Sequence, residues 1–152
     1  MAINVRIKQA LCHKKPLKVV KHLLVENLMS YTKSTATIHI LNLSLQTTIG
    51  WNAWERQQKQ NVIINITLQF DQTGAVKSDD LSEAIDYKSL KNRIVQEVES
   101  STFHLLESLT DHILSIVMSD KQVISATVKV DKPHALRFAD SVSVQISAER
   151  EK

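Results

Sequence analysis

Four side chains in separate parts of the chain are of types that could transfer protons or hold a polar ligand. Glu55 lies in a polar region, Tyr87 follows an aspartate, Glu107 stands among leucines, and Lys132 comes directly before Pro133. A lysine whose pKa is lowered by burial can act as a base, and a carboxylate or a phenol can also exchange protons. Each residue has an ordinary explanation as well, since exposed charged side chains and turn lysines are common.

Two of the clusters lie where helices should begin. Asp86 could cap the N-terminus of one helix, with Tyr87 as a packed ring. Glu107 lies near the start of a second helix, where the helix dipole favours a carboxylate. A carboxylate can accept two parallel hydrogen bonds from a guanidine-like edge of a ligand, although a surface glutamate is the simpler interpretation.

Metal-ligating residues are too scattered to suggest a metal site. The chain has one cysteine, Cys12, and six histidines, with no Cys-x-x-Cys or His-Glu-x-x-His spacing. We therefore expect no internal disulfide and no metal.

The elements that must position these side chains can be read from the spacing of apolar residues. Strand-like alternation is found in residues 37–45, 62–70, 124–130 and 142–147, and helical spacing in residues 90–98 and 106–117. A loop is predicted over residues 47–54, a turn at 71–74, and a capped helical turn at 78–83. Pro133 should lie between strands, because a strand interior does not accept proline.

The order β-β-α-α-β-β predicts an α+β fold with an antiparallel sheet and both helices on one face. The first two strands should pair as a hairpin with a long loop. A small sheet of this kind leaves open edges, which are prone to pair with other chains. We therefore predict a homo-oligomer in which sheets join edge to edge.

The first 34 residues differ from the rest of the chain in charge, with a net charge of +6 against −3 for the remainder. This composition fits a basic arm that binds a membrane surface or nucleic acid, or a targeting segment. It equally fits a flexible extension without a function, or a start codon assigned upstream of a true start at Met29. We predict an extension over residues 1–34 and one domain over residues 35–152. Because no apolar run approaches the ~20 residues that span a bilayer, we expect a soluble, cytoplasmic protein without a membrane or nucleic-acid partner.

Taken together and in this order, the clusters resemble the functional motifs of the dihydroneopterin aldolase and epimerase family. The matching motifs are Ile49-Gly50 with Glu55, Asp80-Leu81 through Tyr87, Leu105-Leu106-Glu107 and Lys132-Pro133, within about residues 36 to 149. The resemblance implies a T-fold, or tunnelling fold, that assembles as a tetramer ring or octamer into an oligomeric barrel. It also implies a pterin substrate and no cofactor, because a 7,8-dihydropterin takes up the electrons from C1′–C2′ cleavage in its own ring imine.

Two activities compete within this family, an aldolase and a dihydroneopterin triphosphate 2′-epimerase. Residues 48–50, Thr-Ile-Gly, lack the histidine that is typical of aldolases before the first loop. Residues 103–107 and 131–143 look more like bacterial epimerases. The resemblance therefore favours epimerisation at C2′ by retro-aldol and aldol steps, with the aldolase of folate biosynthesis as the alternative.

The resemblance also implies a role for each site residue. Glu107, with backbone near Leu106, would anchor the amino-pyrimidine edge of the pterin. Lys132 would move protons to and from the side-chain hydroxyls. Tyr87 would donate or orient a proton at the reacting carbon, and Glu55 would hold the hydroxyls.

A triphosphate needs cations, and His134 and Arg137 lie just beyond the proposed base. We expect these two residues to contact it, although a surface ion pair would equally explain Arg137. Because the pocket of this family lies between subunits, Glu107 and Tyr87 could belong to different chains.

A rival function of another class is non-catalytic binding of RNA, DNA or a membrane by the basic extension. Salt-dependent binding that disappears when residues 1 to 28 are deleted would support it. Zinc-dependent pterin enzymes of the same broad fold require a Cys and His set that this chain lacks.

Overall fold

The structure, a computed structural model, describes residues 35–151. Its elements are β1 (Ala36–Ile49), β2 (Gln60–Phe70), α1 (Thr73–Ser78), α2 (Tyr87–Ser100), β3 (Thr102–Phe103), α3 (Leu106–Met118), β4 (Val123–Pro133) and β5 (Ser141–Glu149), with 3-10 turns at Glu55–Gln57 and Leu81–Glu83. The predicted extension over residues 1–34 lies outside this part of the chain. Within the described residues, no helix has the length and apolar character needed to cross a membrane.

The strands form one sheet in the order β3-β1-β2-β4-β5. The four long strands pair antiparallel as neighbours, and the predicted hairpin is the pair of β1 and β2. The short strand β3 pairs parallel with the end of β1, opposite Thr48 and Ile49. The predicted order of four long strands and two long helices is confirmed.

Two short elements were not predicted, because α1 and β3 are too short to show a periodic apolar pattern. The turn predicted at residues 71–74 is the start of α1. There the carboxylate of Asp71 accepts a hydrogen bond from the backbone N–H of Thr73 at 2.8 Å.

The core lies between one face of the sheet and the two long helices. Every second residue of β2 is buried, and α2 and α3 cover this face, as the sequence predicts. The largest fully buried side chains are Ile49, Ile64, Ile66, Leu68, Ile94, Leu109, Ile113, Val62, Val98, Val117, Val123 and Val128. Each such side chain stabilises the fold by about 1.5–3 kcal/mol, so this packing holds the sheet against the two helices.

β1 is longer than predicted. The loop expected over residues 47–54 begins only at Gly50, because Thr47 and Ile49 are buried within the strand. Pairing with β3 extends the strand to Ile49, and the backbone N–H of Gly50 donates to the carbonyl of Phe103 at 3.0 Å. A contact with a segment so distant in sequence is not visible in the local pattern.

The prediction for Pro133 is wrong. Pro133 is the last residue of β4 and lies in register with Ser141 of β5. The pairing of β4 with β2 ends at Asp131, so the missing N–H of proline is not needed on that side.

A β-bulge changes the face on which the start of β4 is buried. Gln69 of β2 pairs with Ser125, whereas Phe70 pairs with Val123, so Ile124 is the extra residue. Val123 is fully buried and Ile124 is only partly so. The alternation predicted over residues 124–130 therefore does not continue regularly through Ile124 to Val123.

Both outer strands have free backbone edges within the described residues. No strand pairs with the outer side of β5, and β3 covers only Thr48 and Ile49 on the outer side of β1. The predicted homo-oligomer remains a prediction.

Candidate active site

Lys132 points into the core side of the sheet because it has the same parity in β4 as the buried Val128 and Val130. The residue is 8% exposed. Its Nζ donates to Oε1 of Glu55 at 2.6 Å and to the carbonyl of Ile49 at 3.1 Å. A buried ammonium group with two such acceptors is fixed in position and has room for one further hydrogen bond.

Glu55 is held as tightly as its partner. The 3-10 turn at Glu55–Gln57 places its side chain inward, and Oε2 accepts the backbone N–H of Asn52 at 3.0 Å. The hydrogen bond from Lys132 lowers the pKa of the Glu55 carboxyl, and the backbone N–H of Asn52 and the charge of Lys132 add to this against the opposing effect of desolvation. The carboxylate is therefore ionised at neutral pH.

Gly50 makes room for this pair. Its φ of +144° is a conformation that glycine alone adopts readily, and a Cβ at this position would overlap the carboxylate of Glu55. The side-chain amide of Gln60 donates to the carbonyl of Ile49, so the same carbonyl is held from two sides. Sequence reasoning gave no role to Gln60 or Asn52, whose contacts depend on the folded loop.

Glu107 lies at the same end of the sheet as the Lys132–Glu55 pair. It is an exposed residue in the first turn of α3, as predicted. The pairing of β3 with β1 fixes where α3 begins, because β3 ends only three residues before Leu106. The exposed edge of this helix start leaves the Glu107 carboxylate and the backbone near Leu106 open to a ligand.

An aromatic contact, which the sequence analysis missed, lies beside this helix start. The rings of Trp51 and His104 are 5.8 Å apart in an edge-to-face arrangement. Trp51 is 72% exposed and follows Gly50 directly. The contact ties the loop after β1 to the segment that leads into α3.

The loop after β4 carries the two predicted phosphate contacts. His134 and Arg137 are both exposed, and the backbone N–H of His134 donates to the carbonyl of Asp140 at 3.0 Å. His134 and Phe138 have positive φ values of 59° and 66°. Within residues 35–151 no carboxylate forms an ion pair with Arg137, so the surface ion pair considered for it is absent from this part of the chain.

Tyr87 is not part of this group within one chain. It begins α2 after Asp86, whose carboxylate caps the helix by accepting from the backbone N–H of Ser89, as predicted. Tyr87 lines a shallow cavity with Ile40 of β1. Ile40 and Ile49 are nine residues apart on an extended strand, or roughly 30 Å.

The arrangement is a buried ammonium–carboxylate pair and an exposed carboxylate at the same end of the sheet. Such a pair can pass a proton to or from a polar ligand that reaches its one open side. Within residues 35–151, no group of three or more His, Cys, Asp or Glu side chains is arranged to hold a metal ion.

The described residues form an α+β fold, in which two long helices cover one face of the sheet and a polar site lies at its strand ends. The model of the family described as dihydroneopterin aldolase matches residues 38–147. The chain belongs to this family.

Relatives with each of the two activities match the chain. The chain is 42% identical to a dihydroneopterin triphosphate 2′-epimerase of Pseudomonas aeruginosa, over 76% of this chain and 94% of that protein. It is 29% identical to a dihydroneopterin aldolase of Escherichia coli K12, over 72% of this chain and 89% of that protein.

Solved structures of the family have the same fold. Dihydroneopterin aldolase of E. coli in complex with neopterin matches with a TM-score of 0.70 and 28% identity, covering 74% of this chain and 98% of that one. Dihydroneopterin aldolase of Burkholderia thailandensis bound to guanine matches with a TM-score of 0.67 and 25% identity, covering 77% and 93%. The predicted T-fold is confirmed.

Proposed function

We propose that this protein epimerises dihydroneopterin triphosphate at C2′, giving dihydromonapterin triphosphate by retro-aldol cleavage and aldol re-addition. The observation that carries the proposal is the buried Lys132–Glu55 pair at the same end of the sheet as Glu107, in a chain that is more similar to the epimerase than to the aldolase. The alternative is dihydroneopterin aldolase activity, which the family and its aldolase relatives favour.

Glu107 would bind the amino-pyrimidine edge of the pterin, with backbone near Leu106 completing the contact. An ionised carboxylate matches two adjacent N–H donors, and its position in the first turn of α3 supports the negative charge. Guanine and neopterin, the ligands named in the two aldolase structures, both present such an edge.

Lys132 would act on the side-chain hydroxyls. A base removes the proton from the C2′ hydroxyl, the C1′–C2′ bond breaks, and its electron pair moves into the ring imine. The aldehyde that is formed rotates and presents its opposite face. C1′ then attacks the aldehyde carbon again, and the proton returns to the new alkoxide. Positioning of the two fragments is then the main contribution of the protein.

Glu55 would hold Lys132 in place and complete the hydrogen bonds to the hydroxyls. Both its oxygens already accept hydrogen bonds, and a carboxylate has further lone pairs that can accept from a hydroxyl. Retention of the aldehyde would separate epimerase from aldolase, since the aldolase releases glycolaldehyde.

Tyr87 would reach this site from a second copy of the chain. Among residues 35–151, no strand pairs with the outer edge of β1 over residues 36–47 or with the outer edge of the nine-residue β5. If β5 of a second copy lay antiparallel on β1, its first residues would lie toward the β3 end of that free edge. Since Val142 pairs with Lys132, the Lys132 end of the second copy would then lie beside the part of β1 between Ile40 and Ile49.

His134 and Arg137 would contact the triphosphate. Both follow Lys132 closely and are exposed without an ion-pair partner in residues 35–151. Replacing Arg137 with alanine should lower kcat/KM for the triphosphate more than for dihydroneopterin. Equal losses on the two substrates would remove this role.

The test of the function is a product assay with purified protein. Dihydroneopterin and its triphosphate are incubated separately, the products are oxidised, and the pterins are separated by chromatography. Monapterin forms would support the epimerase and 6-hydroxymethylpterin the aldolase. Neither product from either substrate would exclude both enzymes.

A further inference from the structure

An exposed aromatic side chain lies next to the buried Lys132–Glu55 pair. Trp51 comes two residues after Ile49, whose carbonyl accepts a hydrogen bond from Nζ of Lys132 at 3.1 Å. Consecutive Cα atoms are about 3.8 Å apart, so the Cα atoms of Trp51 and Ile49 lie within roughly 8 Å of each other. The loop start that carries Trp51 is therefore adjacent to the proposed proton-transfer group.

His104 connects the same indole to the segment that carries Glu107. The rings of Trp51 and His104 are 5.8 Å apart in an edge-to-face contact. His104 precedes Glu107 by three residues, and α3 begins between them at Leu106. The aromatic pair therefore joins the loop beside Lys132 to the helix start where Glu107 would bind the pterin edge.

The backbone on both sides of Trp51 is fixed by hydrogen bonds. The N–H of Gly50 donates to the carbonyl of Phe103 at 3.0 Å. The N–H of Asn52 donates to Oε2 of Glu55, also at 3.0 Å. Trp51 thus has a defined position, yet 72% of the residue is exposed. A large aromatic side chain that is fixed in place but lies outside the core is typical of residues that contact a ligand or a partner.

The neighbouring groups favour a flat, polar ring as the occupant. The exposed carboxylate of Glu107 can accept two hydrogen bonds from the edge of such a ring. An edge-to-face contact with His104 covers at most one face of the indole, so the other face remains available for stacking. Edge recognition by Glu107 and stacking on Trp51 would hold one ring from two directions.

We propose that Trp51, held in place by His104, forms an aromatic wall of the pterin pocket and stacks on the ring of the ligand. The inference rests on the proposed function for the identity of the ligand. Trp51 contacts the ligand directly, whereas His104 acts through the indole and is a positioning residue.

The test measures the affinity for neopterin of a variant that lacks the indole. Trp51→Ala should raise the Kd by about tenfold, because stacking of a base on an aromatic side chain is worth about that factor. Trp51→Phe keeps an aromatic face, so its Kd should stay within about threefold of the wild-type value. Calorimetry on the purified proteins gives each Kd.

The matched control is Trp54→Ala, in the same loop. Trp54 is the second of the two tryptophans of the chain and is 60% exposed, and its ring contacts no other aromatic ring within residues 35–151. Its removal should leave the Kd for neopterin within about twofold of the wild-type value.

A double variant tests the positioning role of His104. His104→Ala alone should raise the Kd for neopterin by about threefold, because the indole loses its support. Added to Trp51→Ala, the same change should have no further effect, because the two residues act as one unit. Additive losses would show that His104 does not act through Trp51.

Neopterin binding needs no turnover, which keeps this proposal separate from the proposed function. A loss in Trp51→Ala that is absent in Trp54→Ala supports the wall, even if the product assay shows neither activity. Equal Kd values for wild type and Trp51→Ala, equal losses in the two alanine variants, or no binding by the wild type would overturn it. A Trp51→Ala protein with an altered oligomeric state in sedimentation would place the indole between copies instead, and this result also overturns the wall.

Discussion

The pair of Lys132 and Glu55 is held by backbone as much as by charge. Nζ reaches the carbonyl of Ile49, and the carboxylate accepts an N–H from Asn52. The two residues are 77 positions apart, so the sequence could identify each as a candidate but could not show that they touch. Gly50 was the partial indication in the sequence. A glycine in a loop can allow another group to approach the backbone closely, and Glu55 follows only five residues later.

Acid should weaken this pair in a predictable range of pH. The pKa of Glu55 in the folded protein lies below its ordinary value of 4.5, chiefly through the hydrogen bond from Lys132. A lowered carboxyl pKa contributes stability that is fully present above pH 4.5 and is lost as the pH falls through the folded pKa. Urea unfolding at one protein concentration, from pH 7 downward, measures the free energy of unfolding.

The matched variant for this measurement is Glu55→Gln, which keeps the shape but cannot ionise. It should be less stable than the wild type by about 1–3 kcal/mol at neutral pH, because the buried ammonium group loses its carboxylate. The difference between the two proteins should shrink below pH 4.5. A difference that stays constant in acid would show that the charge of Glu55 does not stabilise the fold.

At the scale of elements, β3 determines which residues lie at the end of the sheet that carries the site. Its two residues hold the end of β1 beside the start of α3 and so place Glu107 at the same end as Lys132. Periodicity predicted β2, α2 and α3 well, because each buries a regular stripe of apolar side chains. It failed for β3 and for the bulge at Ile124, where long-range pairing overrides the local pattern.

Replacing Gly50 with alanine should test the connection between this element and the site. The positive φ and the overlap with the Glu55 carboxylate should lower the free energy of unfolding by about 2–4 kcal/mol. The carboxylate must move, so activity on the pterin substrate should fall as well. Both are measured on the purified variant, by urea unfolding and by the product assay.

The control is Gly74→Ala in α1. There a new Cβ would meet only the far end of the exposed Glu83 side chain, and alanine suits a helix better than glycine. Its stability should stay within about 1 kcal/mol of the wild type. Similar losses in both variants would mean that the fit around Gly50 has no special importance.

At the scale of the whole molecule, one copy does not bring all the proposed residues together. Glu55, Glu107 and Lys132 share one end of the sheet, whereas Tyr87 lies beside Ile40. The sequence motifs indicated all four side chains but could not assign them to one copy or two. The free edges of β1 and β5 provide a physical reason for two copies, since unpaired strand edges favour association.

Mixing two inactive variants tests whether the site is shared. Tyr87→Phe and Lys132→Met should each lose activity alone, but co-expression should restore about a quarter of wild-type activity, because random assembly gives some interfaces with both residues intact. The control mixes Lys132→Met with Glu107→Ala. These two residues lie at the same end of one chain, so every site retains a defect and activity should not return. No recovery in the first mixture, despite formation of mixed oligomers, would remove the shared-site mechanism. Recovery in the control would mean that Glu107 and Lys132 come from different copies, which contradicts their assignment to one chain.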